Sequence, residues 1–207
     1  MDTVRHLGLR SRAARLAAAA HSLKRRSGAA PPFCLAFLTD QARAPHPELI
    51  ARSLPENSAL IFRDYRMPGR AHLAARLKSI CAARGVKLLI GADMALAEKI
   101  GADGVHFPRW HAPGADFPKH LILTAACHDA DALTRAGAMG ADAALLSPAF
   151  ATQSHPGAIA AGPARLRMLA AGSPIPVLAL GGVNAGNAHL LAGPNIAGIA
   201  AISAFLR

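Results

Sequence analysis

From residue 33 onwards, short apolar runs alternate with Ala-rich stretches that mix apolar and charged positions. Phe33-Cys34-Leu35-Ala36-Phe37-Leu38 is a continuous apolar run closed by Thr39-Asp40, which is how a strand buried on both faces reads. The pattern recurs. Strands are predicted at Ser58–Arg63, Val86–Ile90, Asp103–His106, Leu121–Ala125, Asp142–Leu146, Pro176–Leu180 and Ile196–Ile202. Between them, helices are predicted from Pro68-Gly69 to about Ala83, and over Met94–Ile100, Asp129–Met139, Pro163–Ala171 and Asn184–Leu191. Gly85, Gly101, Gly140 and Gly172 stand where helices end, and Gly101 and Gly140 suit left-handed caps. Gly-Ala-Asp occurs twice, at Gly101–Asp103 and Gly140–Asp142, each time between helix and strand. Residues 3–26 read as a further helix, Ala-rich, with Leu7, Leu16 and Leu23 among basic side chains, and Pro31-Pro32 ends it.

Strands alternating with helices imply right-handed βαβ crossovers and a parallel sheet. Eight strands predict a closed α/β architecture, a short (β/α)8 TIM barrel over residues 31–207 with an N-terminal helical extension over residues 1–30. An open doubly wound sheet is the alternative, disfavoured because no GxGxxG follows the first strand. The segment after the eighth strand is too short for the usual eighth helix. The N-terminal helix is expected to cover that strand, because a bare apolar strand face is costly.

Composition narrows the function classes. Apolar residues make up 52% of the 207-residue chain and aromatics only 4%, so the core is aliphatic and a base-stacking nucleic-acid platform is not expected. No apolar run reaches the roughly 18 residues of a membrane span, and no membrane partner is expected. Cys34, Cys81 and Cys127 are widely spaced, without a CxxC pair, which argues against a disulfide framework or zinc knuckle and for a reducing cytoplasm. The net charge is +11, of which +6 falls in the first 30 residues. A basic body steers anionic ligands, while the basic arm reads as a structural helix or a solvated tail. Nothing in the pattern selects an oligomeric state.

In such a barrel the chemistry lies in the loops after the strands. After the seventh strand, Gly181-Gly182 leaves backbone N–H groups open to a phosphate, and after the eighth Ile202-Ser203 offers more N–H groups and a hydroxyl. A glycine pair needed only for a tight turn is the alternative. The long loop after the sixth strand, Ser147 to Gly157, is rich in hydroxyls and carries Thr152, Ser154 and His155. His128 follows the fifth strand, where it can move a proton near neutral pH or simply cap and pack. Cys127 beside it is a weaker nucleophile candidate, with no activating pattern nearby. Arg63 follows the second strand with Asp64-Tyr65-Arg66, and suits a diphosphate or carboxylate.

Taken in order, these loops resemble the thiamine phosphate synthase and thiazole tautomerase (TenI-like) family over about Phe33 to Phe205. The likeness rests on Leu38-Thr39-Asp40, Arg63, Gly101-Ala102-Asp103-Gly104-Val105-His106, His128, Ser147-Pro148 with Thr152 and Ser154, Leu180-Gly181-Gly182-Val183, and Ile202-Ser203. It implies a small phosphorylated thiazole held by Thr152, Ser154, Gly181, Gly182, Ile202 and Ser203. It also implies condensation of that thiazole with a pyrimidine diphosphate, whose departing pyrophosphate magnesium neutralises. The chain departs from the family on the magnesium side. Gly91 and Ala92 stand where the family has Asn-Asp, with Asp93 one residue late, and Phe107 to His111 contains no acid. Ala126 and His155 replace an expected serine and lysine.

Two forms of the family function follow. In one, Asp93 or Asp64 holds magnesium and Arg63, Arg66 and Arg109 bind pyrophosphate. In the other, no metal is needed and His128, which falls where the tautomerase's catalytic histidine is expected, shuttles a proton. A non-catalytic barrel that only binds a phosphorylated ligand is the remaining class.

Overall fold

The computed structural model describes residues 2–109, 117–151 and 162–206, with side chains from residue 7 onwards. A long helix, α1 (Asp2–Ser27), precedes the first strand, β1 (Leu35–Leu38). Then follow α2 (Pro47–Ala51), β2 (Ala59–Phe62), α3 (Arg70–Ala82), β3 (Lys87–Gly91), α4 (Met94–Lys99) and β4 (Gly104–Phe107). The second half runs β5 (Ile122–Cys127), α5 (Ala130–Ala138), β6 (Ala143–Leu146), α6 (Gly162–Ala171), β7 (Val177–Leu180) and β8 (Ile196–Ala201). Each strand pairs in parallel with its neighbours in sequence, and β8 closes on β1. This is the (β/α)8 barrel expected from the alternation of patterns.

The strands are short and buried along almost their whole length, which is why they read as unbroken apolar runs. Helix starts are set by side chains that accept a backbone N–H left unpaired in the first turn. Asp93 accepts from Leu96 in α4 and Asp129 from Ala132 in α5. The repeated Gly-Ala-Asp has a structural role. Gly101 and Gly140 adopt φ values of +63° and +75°. The aspartate that follows then makes a two-way junction with the preceding strand. Asp103 accepts the Leu88 N–H at 2.9 Å and donates its own N–H to the Leu88 carbonyl. Asp142 does the same with Leu123. The motif fastens one βα unit to the next.

α1 lies against β8 and also touches β1. Its buried face is Leu9, Ala13, Leu16, Ala17, Ala20 and Leu23, a single stripe at helical spacing. Leu7, which the sequence pattern placed among the apolar anchors, is instead 61% exposed, and Leu9 takes its place. The helix is pinned at two more points, where Asn195 donates its backbone N–H to the Ser27 carbonyl and Arg12 donates Nε–H to the Phe205 carbonyl. The N-terminal helix thus covers β8.

Two local expectations change. The short α2 was not apparent in the sequence, although Pro47 at its first turn and Glu48 beside it are start signals. The helix expected at Asn184–Leu191 shrinks to a 3-10 turn over Ala188–Leu191. Asn184 Oδ1 accepts the N–H groups of Gly186 and Asn187, and Asn187 Oδ1 accepts that of Asn184. These side chains bind the N–H groups that a helical first turn would present, and so compete with the helix.

Candidate functional site

The loops after β6, β7 and β8 enclose a cavity of about 1090 Å³ at the C-terminal face of the barrel. Gly181 and Gly182 form one wall, with φ of +94° and +68°. A Cβ at Gly182 would lie 2.8 Å from both the Ala151 carbonyl oxygen and Phe150 Cβ, and one at Gly181 would lie 3.0 Å from Pro148 Cα. Backbone conformation and the close β6 loop each demand glycine here. The loops are also hydrogen-bonded, Phe150 N–H to the Gly181 carbonyl at 3.0 Å and Ala149 N–H to that of Leu180 at 2.9 Å. Asn187 Nδ2 donates to the Gly182 carbonyl. The carbonyls of this turn are therefore taken, whereas the N–H groups of Gly182 and Val183 have no backbone acceptor among the described residues. Ser203 and Ala204 open a second 3-10 turn (Ser203–Phe205) after β8, and their N–H groups are likewise without a backbone acceptor. Ile202, Ser203 and Ala204 line the same cavity. A concave wall of N–H groups without a backbone acceptor among the described residues suits an oxyanion.

His128 lines this cavity too. Its Nδ1 lies 2.8 Å from the Ser147 carbonyl oxygen and 3.2 Å from Ser147 Oγ. A carbonyl oxygen only accepts, so Nδ1–H donates to Ser147 and Nε2 is the ring nitrogen left for a ligand. Cys127, next in sequence, is buried, and burial together with Asp129 pushes its thiol up to about 11. It is not a nucleophile at neutral pH.

Arg63 joins this cavity to an adjoining one lined by Asp40, Asp64, Tyr65 and Arg66. Thr39 fixes it, because the Thr39 hydroxyl oxygen accepts the Arg63 N–H at 2.9 Å and the Thr39 carbonyl accepts Nε–H at 3.3 Å. Burial lowers the Arg63 pKa from the ordinary arginine value, against the opposing charges of Tyr65 and Asp40. Burial would raise the Asp40 carboxyl, but hydrogen bonds and charge from Arg43, with Arg63 at 4.0 Å, hold it below the usual carboxylate range. Deeper in the barrel, His106 on β4 meets Thr124 on β5, Nδ1 to Oγ1 at 3.0 Å. Burial, with the Arg63 charge adding to it, lowers the His106 pKa to about 3, so this ring is neutral.

A family model described as thiamine monophosphate synthase matches residues 35–205, the whole barrel. The chain belongs to the thiamine monophosphate synthase family. It is 34% identical over 149 residues to the thiamine-phosphate synthase of Methanoculleus marisnigri, covering 69% of this chain and 71% of that protein. It is 32% identical over 168 residues to the thiamine biosynthesis bifunctional protein ThiM/ThiE of Symbiobacterium thermophilum, covering 77% of this chain but only 35% of that longer protein. Among solved structures, thiamine phosphate pyrophosphorylase from Pyrococcus furiosus superposes with a TM-score of 0.72 at 24% identity, over 84% of this chain and 87% of that one. At that identity the superposition speaks to fold.

On the side away from the glycine pair, the mouth holds its carboxylates in hydrogen bonds and ion pairs. Asp93, one of the two carboxylates considered for magnesium, caps α4 through Oδ1 and takes Arg70 Nη1 at 2.7 Å on Oδ2. Arg70 also donates Nη2–H to the Gly91 carbonyl at 2.7 Å, and its guanidinium lies 5.4 Å from the centre of the Phe62 ring. Tyr65 covers the end of β3 so closely that a Cβ at Gly91 would lie 2.8 Å from its ring. Asp40 is held by Arg43, and Asp64 accepts the Gln41 N–H at 2.9 Å. Among the described residues no three His, Cys, Asp or Glu side chains gather as a metal site. Magnesium is held by one or two carboxylates together with substrate phosphates. Arginine pairs with Asp40 and Asp93, which leaves Asp64, on the adjoining cavity, as the carboxylate that could hold it.

The remaining expected residues divide. Arg66 is exposed and lines the adjoining cavity beside Arg63. Arg109 is exposed and lines neither cavity. Thr152, Ser154 and His155 lie outside the described residues. Sequence reasoning missed Arg12, Arg15 and Arg43, all on the cavity wall. Arg43 carried a weak signal as the i+3 partner of Asp40. The α1 arginines carried only the general excess of charge. Among the described residues no helix is long and apolar enough to cross a membrane.

Proposed function

We propose that the chain works in thiamine biosynthesis on a small phosphorylated thiazole, with His128 as the group that moves a proton on the bound ring. The carrying observation is that one cavity holds both the N–H groups of the Gly182 and Ser203 turns, without a backbone acceptor among the described residues, and the His128 ring, whose Nδ1 is fixed by Ser147. The phosphate monoester sits against the N–H groups and the heterocycle extends towards His128. There Nε2 takes a proton from one ring carbon and returns it to another carbon of the conjugated system. No atoms are gained or lost, and no metal is used. Relatives bearing the thiamine-phosphate synthase name support the substrate class.

A second reading is condensation of the thiazole phosphate with a pyrimidine diphosphate. Arg63 and Arg66 favour it, as two cations on the adjoining cavity. Assaying the purified full chain separates the two readings. Isomerisation of a thiazole phosphate carboxylate, retained with chelator and abolished in His128→Asn, supports the first. Thiamine phosphate formation that a chelator stops supports the second. Failure to bind thiazole phosphate refutes both.

A further inference from the structure

The N-terminal helix brings two arginines to the mouth that the reading above does not use. Arg12 and Arg15 lie three residues apart, on one face of α1, and flank Leu16 on the cavity wall. They stand with the Gly181-Gly182 turn and with Ser203 around the same space. Arg12 is held in place. Its Nε–H binds the carbonyl of Phe205, two residues beyond Ser203, and its Nη1 lies 3.4 Å from where a Cβ would stand at Gly8. The glycine leaves room for the guanidinium to lie along its own helix. Among the described residues no acidic side chain lines the cavity. Arg43 and Arg63 are compensated by Asp40, whereas neither Arg12 nor Arg15 has a carboxylate within ion-pair distance among the described residues. Two uncompensated guanidinium groups beside a wall of N–H groups make a site for a dianion rather than a monoanion.

We propose that Arg12 and Arg15 are phosphate-binding residues, so that α1 completes the phosphate site as well as covering β8. The backbone N–H groups of the Gly182 and Ser203 turns take one side of a phosphate dianion and the guanidinium groups of α1 take the other. The phosphate then bridges the N-terminal helix and the last turn of the barrel, and its binding tightens the docking of α1. The choice of a thiazole phosphate as the bearer rests on the proposed function; the site itself does not.

The test is calorimetric titration of the full chain with inorganic phosphate and, separately, with thiazole phosphate, in Arg15→Gln, Arg15→Lys and the unaltered protein. Arg15 is exposed and makes no structural hydrogen bond among the described residues, so its urea midpoint should stay put. Loss of one charge-assisted contact should weaken phosphate on the order of tenfold in Arg15→Gln, with Arg15→Lys recovering part of it. Phosphate should also raise the Tm less in Arg15→Gln than in the unaltered protein. Equal affinity in the Gln variant, or no binding of either phosphate by the unaltered protein, overturns the proposal. Arg15-dependent binding of inorganic phosphate without binding of thiazole phosphate sustains it and sinks the thiazole reading instead.

Discussion

Leu16 is the side chain on which the docking of α1 can be measured. It is 2% exposed, and its neighbours along the stripe are Ala13, Ala17 and Ala20. Methyl groups cannot swing into the space that Leu16→Ala would leave, so the site collapses little. The cost of a buried leucine truncation runs from about 2 to 5 kcal/mol, and poor collapse places this one at about 3 to 4 kcal/mol. For a chain of this size each kcal/mol moves the Tm by roughly 2–4 °C, so a fall of about 6–16 °C is expected. Leu7→Ala on the same helix is the control. With 61% exposure, that side chain has little burial to lose, and its truncation should stay within about 0.5 kcal/mol. Urea denaturation followed by circular dichroism reads both, with an unchanged m-value showing that the midpoint shift is a stability change. Removing residues 1–28 withdraws Leu9, Leu16 and Leu23 together. At about 1.5–3 kcal/mol each, the loss rivals the whole stability of a typical domain, so the truncated chain should not fold alone. A Leu16→Ala cost below about 1 kcal/mol, or equal costs for the two leucines, would refute the docking of α1 through this stripe.

Other consequences follow from particular contacts. His106 is neutral in the fold down to about pH 3 and takes a proton at an ordinary 6.5 when unfolded. Acid therefore favours the unfolded chain. Stability should fall by about 1.4 kcal/mol per pH unit from roughly pH 6 towards pH 4, and urea midpoints of His106→Asn should lack this component. Gly182→Ala must bear a positive φ and a Cβ 2.8 Å from two atoms of the β6 loop. It should weaken phosphate binding more than roughly tenfold, the equivalent of about 1.4 kcal/mol of strain and displacement, whereas Gly172→Ala, without close neighbours, should leave titrations unchanged. Asp103→Ala leaves the Leu88 N–H without its acceptor and should cost about 1–3 kcal/mol in urea melts. Burial raises the Cys81 thiol to about 12 and the Cys127 thiol to about 11, so a thiol-specific chromophore at pH 8 should label both only after unfolding.

The sequence by itself determined the barrel. Eight apolar runs separated by helical stretches leave little choice, because strands buried on both faces and joined by helices must form a parallel sheet. The Gly-Ala-Asp repeats are local signals whose hydrogen-bond partners lie on the strand immediately before, so their places were legible as well. Gly181-Gly182 was legible as a turn after the seventh strand, although the pair has a second reason that no pattern contains, the β6 loop lying against it. The face of α1 was not legible. Leu9, Leu16 and Leu23 repeat every seven residues and share one face, with Leu7 opposite, but in an Ala-rich helix with basic residues all around only contact with β8 shows which face is buried. The fate of the carboxylates was decided in the same way. Asp93 looks available in the chain, yet Arg70, 23 residues away, takes it. Arg12 reaches the mouth only because the first helix folds back onto the last strand and meets Phe205, 193 residues along the chain. Periodicity specifies the elements, whose rules are local. The electrostatics of the mouth depend on which distant charges share one cavity, and only the tertiary structure brings those charges together.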